Sequence, residues 1–106
     1  MSSFNNDYDE LERVIYEEGL KIKALHFHPD LDLMLVVLTN GKVLHRTLSA
    51  SSRLRSATLP QLNNYRLIGQ GAGVHWEDID EDLSLKSFLK EEIKRSIQAI
   101  STIKVA

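Results

Sequence analysis

The stretch Leu33-Met34-Leu35-Val36-Val37-Leu38-Thr39-Asn40-Gly41-Lys42-Val43-Leu44-His45-Arg46-Thr47-Leu48 decides the fold class. Residues 33–39 form an apolar run rich in Leu and Val, short and bounded by turn signals. Such a run reads as a central strand covered on both faces. Asn40-Gly41 follows. Both central positions of a type I′ turn need positive φ, which Asn and Gly tolerate. Residues 42–48 then return as the hairpin partner. Period-two alternation places Val43, His45 and Thr47 on one face and Leu44, Arg46 and Leu48 on the other.

Upstream, residues 20–28 read as a strand stopped by Pro29-Asp30, because Pro cannot donate to a ladder and Pro-Asp forms turns. Residues 7–18 read as a short helix. Tyr8, Leu11, Val14 and Ile15 recur at helical spacing, acids crowd the first turn, and Gly19 stands at the C-terminal end. Residues 1–6 are expected to be disordered. Downstream, residues 49–64 are polar and predict one or two short helical turns. Ser49, Ser51 or Ser52 would cap the turn carrying Leu54, and Pro60 would open another. Residues 65–68 and 73–76 predict short strands joined by the turn Gly69-Gln70-Gly71-Ala72-Gly73. Ser84 is a good N-cap for a last helix, with Leu83 and Phe88 at the offsets of a hydrophobic staple. Leu85, Phe88, Leu89, Ile93, Ile97 and Ile100 form an apolar stripe at helical spacing. The fold expected is α+β: a small, mainly antiparallel sheet built on a β-hairpin, with a C-terminal helix packed on it and a short N-terminal helix.

The chain has 106 residues, 42% hydrophobic and 26% charged, which suits one domain spanning 1–106. A domain of this size buries roughly two-thirds of its extended-chain surface, enough for one core but not for a large enclosed active site as well. A net charge of -2 gives no bulk attraction to nucleic acid or membrane. The absence of cysteine excludes disulfides, thiolate metal sites and Cys nucleophiles, and fits a reducing cytoplasm. The N-terminus lacks a basic and then apolar leader, and no apolar run approaches the roughly twenty residues of a membrane span. A cytoplasmic location is expected. The charge is segregated. Residues 1–18 hold six acids against Arg13, residues 40–76 hold Lys42, Arg46, Arg53, Arg55 and Arg66 with no acid, and residues 77–82 hold five acids.

Between residues 38 and 89 an ordered set of motifs recurs: Asn40-Gly41-Lys42, Arg53-Leu54, Ala57-Thr58, Asn64-Tyr65-Arg66-Leu67-Ile68-Gly69, Gly73-Val74-His75-Trp76, and Ile79-Asp80-Glu81-Asp82-Leu83-Ser84-Leu85. In order and spacing this resembles the bacterial domain of unknown function family 2442 (DUF2442). The resemblance covers about half of the chain. Departures are Ser52 where the family has Pro, Ser51 where an aromatic is common, and Glu77 where Pro usually follows Trp. Residues 20–89 would be the family-like core and 90–106 a helical extension. The resemblance implies a small α+β domain with an antitoxin-like or accessory role.

Each candidate chemistry has a plainer alternative. His26 and His28 project from one strand face, and with Asp30 or His75 could complete a zinc or iron site; the plainer and better reading is a pair of half-exposed strand residues near a turn. His75 as a general base would need an orienting carboxylate, for which Asp78 and Asp80 are near, and a nucleophile, which nothing designates. The better reading has Trp76 anchoring the sheet to the last helix. Asp78-x-Asp80-x-Asp82 begins like a calcium loop but has Leu83 and Leu89 where Gly and Glu are required, so it reads as a solvated acidic turn. Gly69-x-Gly71-x-Gly73 lacks the spacing and following helix of a dinucleotide loop. No metal ligand and no cofactor is therefore assigned.

Lys42, Arg46, Arg53, Arg55 and Arg66 could together neutralise phosphates, though no nucleic-acid-binding motif accompanies them. Ile97, Ile100 and Ile103 extend the apolar stripe toward the end of the chain, and an apolar helix face that outruns its sheet marks association. The function expected is a non-catalytic protein-binding or regulatory domain, antitoxin-like, acting as a homodimer or with a small protein partner through Ile97, Ile100 and Ile103. Nucleic-acid binding through the basic set is the second reading. An enzyme built on His75 and Asp78 is the third.

Overall fold

The computed structural model describes residues 9–105, with side chains through residue 99. Helix α1, Glu10–Tyr16, is nucleated by a capping box: Glu12 N–H donates to Asp9 Oδ1 at 2.9 Å and Asp9 N–H to Glu12 Oε1 at 3.1 Å. It is shorter than residues 7–18, and Tyr8 and residues 1–6 lie outside the described residues. Ile15 is its fully buried anchor.

Strands β1 (Ile22–His28), β2 (Leu33–Leu38) and β3 (Val43–Thr47) form an antiparallel sheet in that order. Between β1 and β2 the chain turns through Pro29–Leu31 and Asp32, whose φ is +53°. The β2–β3 connection is a hairpin, but not the two-residue type I′ form. Gly41 N–H donates to Leu38 C=O at 3.0 Å and Leu38 N–H to Lys42 C=O at 2.8 Å, enclosing Thr39, Asn40 and Gly41. Among these only Gly41 has positive φ, +90°. This is the three-residue loop in which a type I turn is followed by a left-handed glycine. Asn40 serves through its side chain, accepting from Lys42 N–H at 3.0 Å. Strand β2 is central, as its apolar run predicts. Met34, Val36 and Leu38 are fully buried, whereas Leu33, Leu35 and Val37 on the other face are only half-buried. That second face is thus only partly covered among the described residues, short of the cover on both faces that the apolar run predicts.

The polar segment 49–64 holds two short helices, α2 (Ser52–Arg55) and α3 (Leu59–Asn63). Ser51 caps the first, accepting from Leu54 N–H at 3.3 Å. Thr58 and Gln61 form a capping box on the second, with Pro60 in its first turn. Leu54 and Leu62 insert from these turns into the core.

A second antiparallel sheet follows, β4 (Tyr65–Ile68), β5 (Gly73–Trp76) and β6 (Glu81–Ser84), in that order. Strand β6 falls within the acidic run read from sequence as a turn. Only residues 77–80 turn, with Asp80 at φ +53°, and Glu81 then enters the ladder opposite Trp76. Helix α4, Leu85–Val105, starts where Ser84 Oγ accepts from Ser87 N–H at 3.1 Å, the predicted cap. One core joins both sheets. Trp76 is fully buried, its indole N–H donates to Leu62 C=O at 3.0 Å, and Phe27 meets the edges of Trp76 and Tyr65. The Tyr65 hydroxyl accepts from Leu25 N–H at 3.1 Å, tying the sheets by a polar contact as well.

Candidate functional site

Helix α4 spans about 31 Å at 1.5 Å per residue. Its first turns supply Leu85 and Phe88 to the core, with Leu89 half-buried beside them. One and two turns further along the same stripe the cover ends: Ile93 is 48% and Ile97 58% exposed. Ile100 and Ile103 continue on the helix backbone, with side chains outside the described residues. The helix is braced on both flanks. Lys86 Nζ lies 3.0 Å from Asp9 and 3.4 Å from Glu12 of α1. The Asp9 carboxyl is held below its ordinary 3.8, chiefly by the Glu12 backbone N–H and then by Lys86, and the hydrogen bond to Asp9 raises Lys86 above 10.5. On the other flank Arg95 donates to the His45 carbonyl of β3, and Arg46 lies over the Phe88 ring, 5.2 Å from its centroid. The Arg46 Nε and Nη1 atoms are buried without a hydrogen-bond acceptor among the described residues. Between and beyond these braces the Ile93–Ile97 stripe faces outward, exposed among the described residues.

The basic set does not act as one group. Arg46 is turned under α4, and Arg53 donates to the Asp80 carbonyl, 3.8 Å from that residue's carboxylate. Lys42, Arg55 and Arg66 are exposed and form no ion pair among the described residues, but they stand on the hairpin tip, α2 and β4 respectively. The acidic run is also tied internally: Ser51 Oγ donates to Glu81 at 2.6 Å and Asn64 Nδ2 to Asp78 at 3.0 Å.

His75 has a carboxylate partner, but it is Asp82 rather than Asp78 or Asp80. Nδ1 and Oδ1 are 2.5 Å apart across the β5–β6 ladder, because His75 and Asp82 are in register. Arg66 is the opposite register neighbour, so Arg66, His75 and Asp82 form a row across the outer face of the second sheet. No hydroxyl bonds the imidazole among the described residues, and the adjoining hollow holds only about 60 Å³, the space of a water or two. His26 and His28 are exposed on one face of β1, and no set of His, Asp and Glu among the described residues is grouped to hold a metal. The glycines serve packing. A Cβ at Gly71, whose φ is +102°, would lie 2.6 Å from the Ile22 carbonyl, so this turn presses directly on β1.

Sequence reasoning did not find a cleft of about 550 Å³ between the end of α1 and the outer face of the second sheet. It is lined by Tyr16, Ile68, Ala72, Gly73, Asp82 and Ser87, among others. Its residues come from five separate elements, α1, β4, β5, β6 and α4, and the pairing of β6 helps bring them together. No helix among the described residues is long and apolar enough to cross a membrane.

Two solved structures share this architecture. A crystal structure of a protein of unknown function from Rhodospirillum rubrum is 27% identical, with a TM-score of 0.60 over 69% of this chain and 88% of that one. A solution structure of an uncharacterized protein from Chromobacterium violaceum is 21% identical, with a TM-score of 0.62 over 85% of each chain, and shows the fold alone. None of the curated proteins matches the chain. The family model described as protein of unknown function (DUF2442) matches residues 22–94, from the first strand of the first sheet into α4. That span is more than half of the sequence and includes both sheets, and the chain therefore belongs to the DUF2442 family.

Proposed function

We propose that this protein is a non-catalytic protein-binding domain with an antitoxin-like or regulatory role, acting in the cytoplasm and self-associating through the outer stripe of α4. The observation that carries the reading is the exposure of Ile93 and Ile97, 48% and 58%, on a helix already fixed at both flanks. A rigid apolar stripe loses little conformational entropy on pairing. The natural occupant is the same stripe of a second copy, in an isologous contact. The cysteine-free composition supports the cytoplasmic assignment. The nucleic-acid reading has less support, because Arg46 and Arg53 already serve internal contacts. The catalytic reading has a paired histidine but, among the described residues, no hydroxyl bonded to it.

A pair of such helices would bury roughly 300 Å² per partner, well under the roughly 800 Å² of a stable complex, so a weak, exchanging dimer is expected. Sedimentation equilibrium between about 10 µM and 1 mM, a range set by micromolar-to-millimolar affinities, tests it. Mass should rise with concentration, and Ile97→Lys should hold the chain monomeric with unchanged circular dichroism. A wild-type monomer throughout, or an Ile97→Lys variant that still dimerises, refutes the proposal.

A further inference from the structure

The outer edge of β6 is unpaired by any described strand. Along a strand, N–H and C=O groups address alternate edges. Leu85 N–H donates to Ala72 C=O at 2.8 Å, which sets the phase of the ladder. Glu81 and Leu83 therefore address β5, and Asp82 and Ser84 address the open edge. Two of the four outward groups have local partners. Asp82 N–H donates to Glu81 Oε1 at 3.2 Å, and Ser84 C=O accepts from the Ser87 hydroxyl at 2.7 Å. The Asp82 carbonyl and the Ser84 N–H are left, one on either side of Leu83. That pair matches parallel addition, in which one incoming residue donates to the carbonyl before its neighbour and accepts from the N–H after it. The same pair also suits antiparallel addition, in which a widely spaced ring opposite Leu83 takes a donor at the Asp82 carbonyl and an acceptor at the Ser84 N–H.

We infer that β6 takes up an extended, basic segment of a partner protein, added along its open edge and clamped opposite Leu83. Side chains flanking the clamped residue share the side of Asp82 and Ser84, because faces alternate along a strand. They therefore overlie the 550 Å³ cleft. Its floor is apolar: Ile68, Ala72 and Gly73. Among the described residues, the only charged one lining it is Asp82, with a side chain 68% exposed and Oδ1 engaged by His75. The α4 N-terminal dipole lies close by and would oppose a cation. Its nearest N–H groups, at Leu85 and Ser87, already donate to Ala72 C=O and Ser84 Oγ, so the full charge of Asp82 governs. A Lys or Arg next to the clamped position would lay its stem on the floor and its head at Asp82. This surface is separate from the Ile93–Ile97 stripe and extends the protein-binding reading to a second partner.

The test is an amide-resolved NMR titration of the full chain with acetyl-Thr-Arg-Val-Arg-Thr-amide. Shifts are expected at Ala72, Gly73, Leu83, Ser84 and Ser87, with the Ser84 amide moving downfield. N-methylation of both the central Val and the Arg that follows it removes the donor to the Asp82 carbonyl in either strand direction and should weaken binding about 5- to 10-fold, the size of one lost hydrogen bond. Exchanging both Arg for Gln should weaken it about 2- to 5-fold, as for an exposed ion pair. Asp82→Asn should erase that Arg-over-Gln preference without unfolding the chain. The inference is overturned by no shifts at millimolar peptide, by equal affinity of the N-methylated peptide, or by agmatine alone reproducing the shifts. None of these outcomes bears on self-association, which is read by mass.

Discussion

Replacing Trp76 with Phe removes two things at once from the centre of the molecule. The first is volume. Trp76 is fully exposed to neither solvent nor cleft, with no accessible surface, and a Phe in its place leaves roughly 40 Å³ unfilled; at about 24 cal/mol per Å³ of cavity this costs about 1 kcal/mol. The second is the indole N–H that donates to the Leu62 carbonyl at 3.0 Å. Its loss leaves a buried acceptor unpaired, at about 1–3 kcal/mol. The sum is a loss of about 2–4 kcal/mol, a large share of the 5–15 kcal/mol typical of a domain. Phe should keep the edge contact with Phe27, so that packing is not a further loss. Urea unfolding followed by far-ultraviolet circular dichroism measures the change, since Trp76 is the only Trp and its fluorescence disappears with it. The midpoint should fall with the slope unchanged. A loss below about 1 kcal/mol would mean that the Leu62 carbonyl reaches water or another donor, and the account of the core as keyed by this hydrogen bond would be wrong.

Gly71→Ala should destabilise by about 2 kcal/mol or more, because the new Cβ meets the Ile22 carbonyl at 2.6 Å and φ is +102°; thermal unfolding of the variant checks it. Arg46→Met should be neutral or stabilising in the same assay, since it removes buried donors that lack acceptors while keeping contact with Phe88. The pH dependence has a definite sign at each end. The Asp9 carboxyl is lowered in the fold, so its contribution is present above 3.8 and is lost as pH falls below that value; Lys86 is raised, so its contribution is present below 10.5 and is lost as pH rises above it. Asp9→Asn should flatten the acid limb of a stability-versus-pH curve and leave the middle of the curve level.

The first sheet was legible because its signals are local: an apolar run, a breaker at Pro29-Asp30, and Asn40-Gly41. The caps at Ser51, Thr58 and Ser84 obey equally local chemistry. Strand β6 was not legible. Glu81, Asp82 and Ser84 have low strand propensity and surround a lone Leu83, so nothing within the segment announces a strand; it is recruited by its neighbour β5. The partner of His75 was misread for the same reason, since Asp78 and Asp80 are nearer in sequence but only strand pairing puts Asp82 alongside. The half-bare face of β2 shows the limit of reading burial from composition, because Leu35 and Val37 are as apolar as Val36. The outer stripe of α4 was visible as a pattern, but how far the fold would cover it depends on where the sheet ends, which no helix periodicity encodes.

Both sheets are meanders in which each strand pairs with the one before it in sequence. The first is complete by Thr47 and the second by Ser84, and no strand of either waits for a partner from the other. Low contact order of this kind goes with fast folding. During synthesis the first meander can assemble while the second is still being made. On that order the mating of Phe27 with Trp76 and Tyr65 would come last, since it needs both sheets in place. A nascent chain stalled before Trp76 would therefore expose an apolar sheet face in the cell, where chaperones would meet it first.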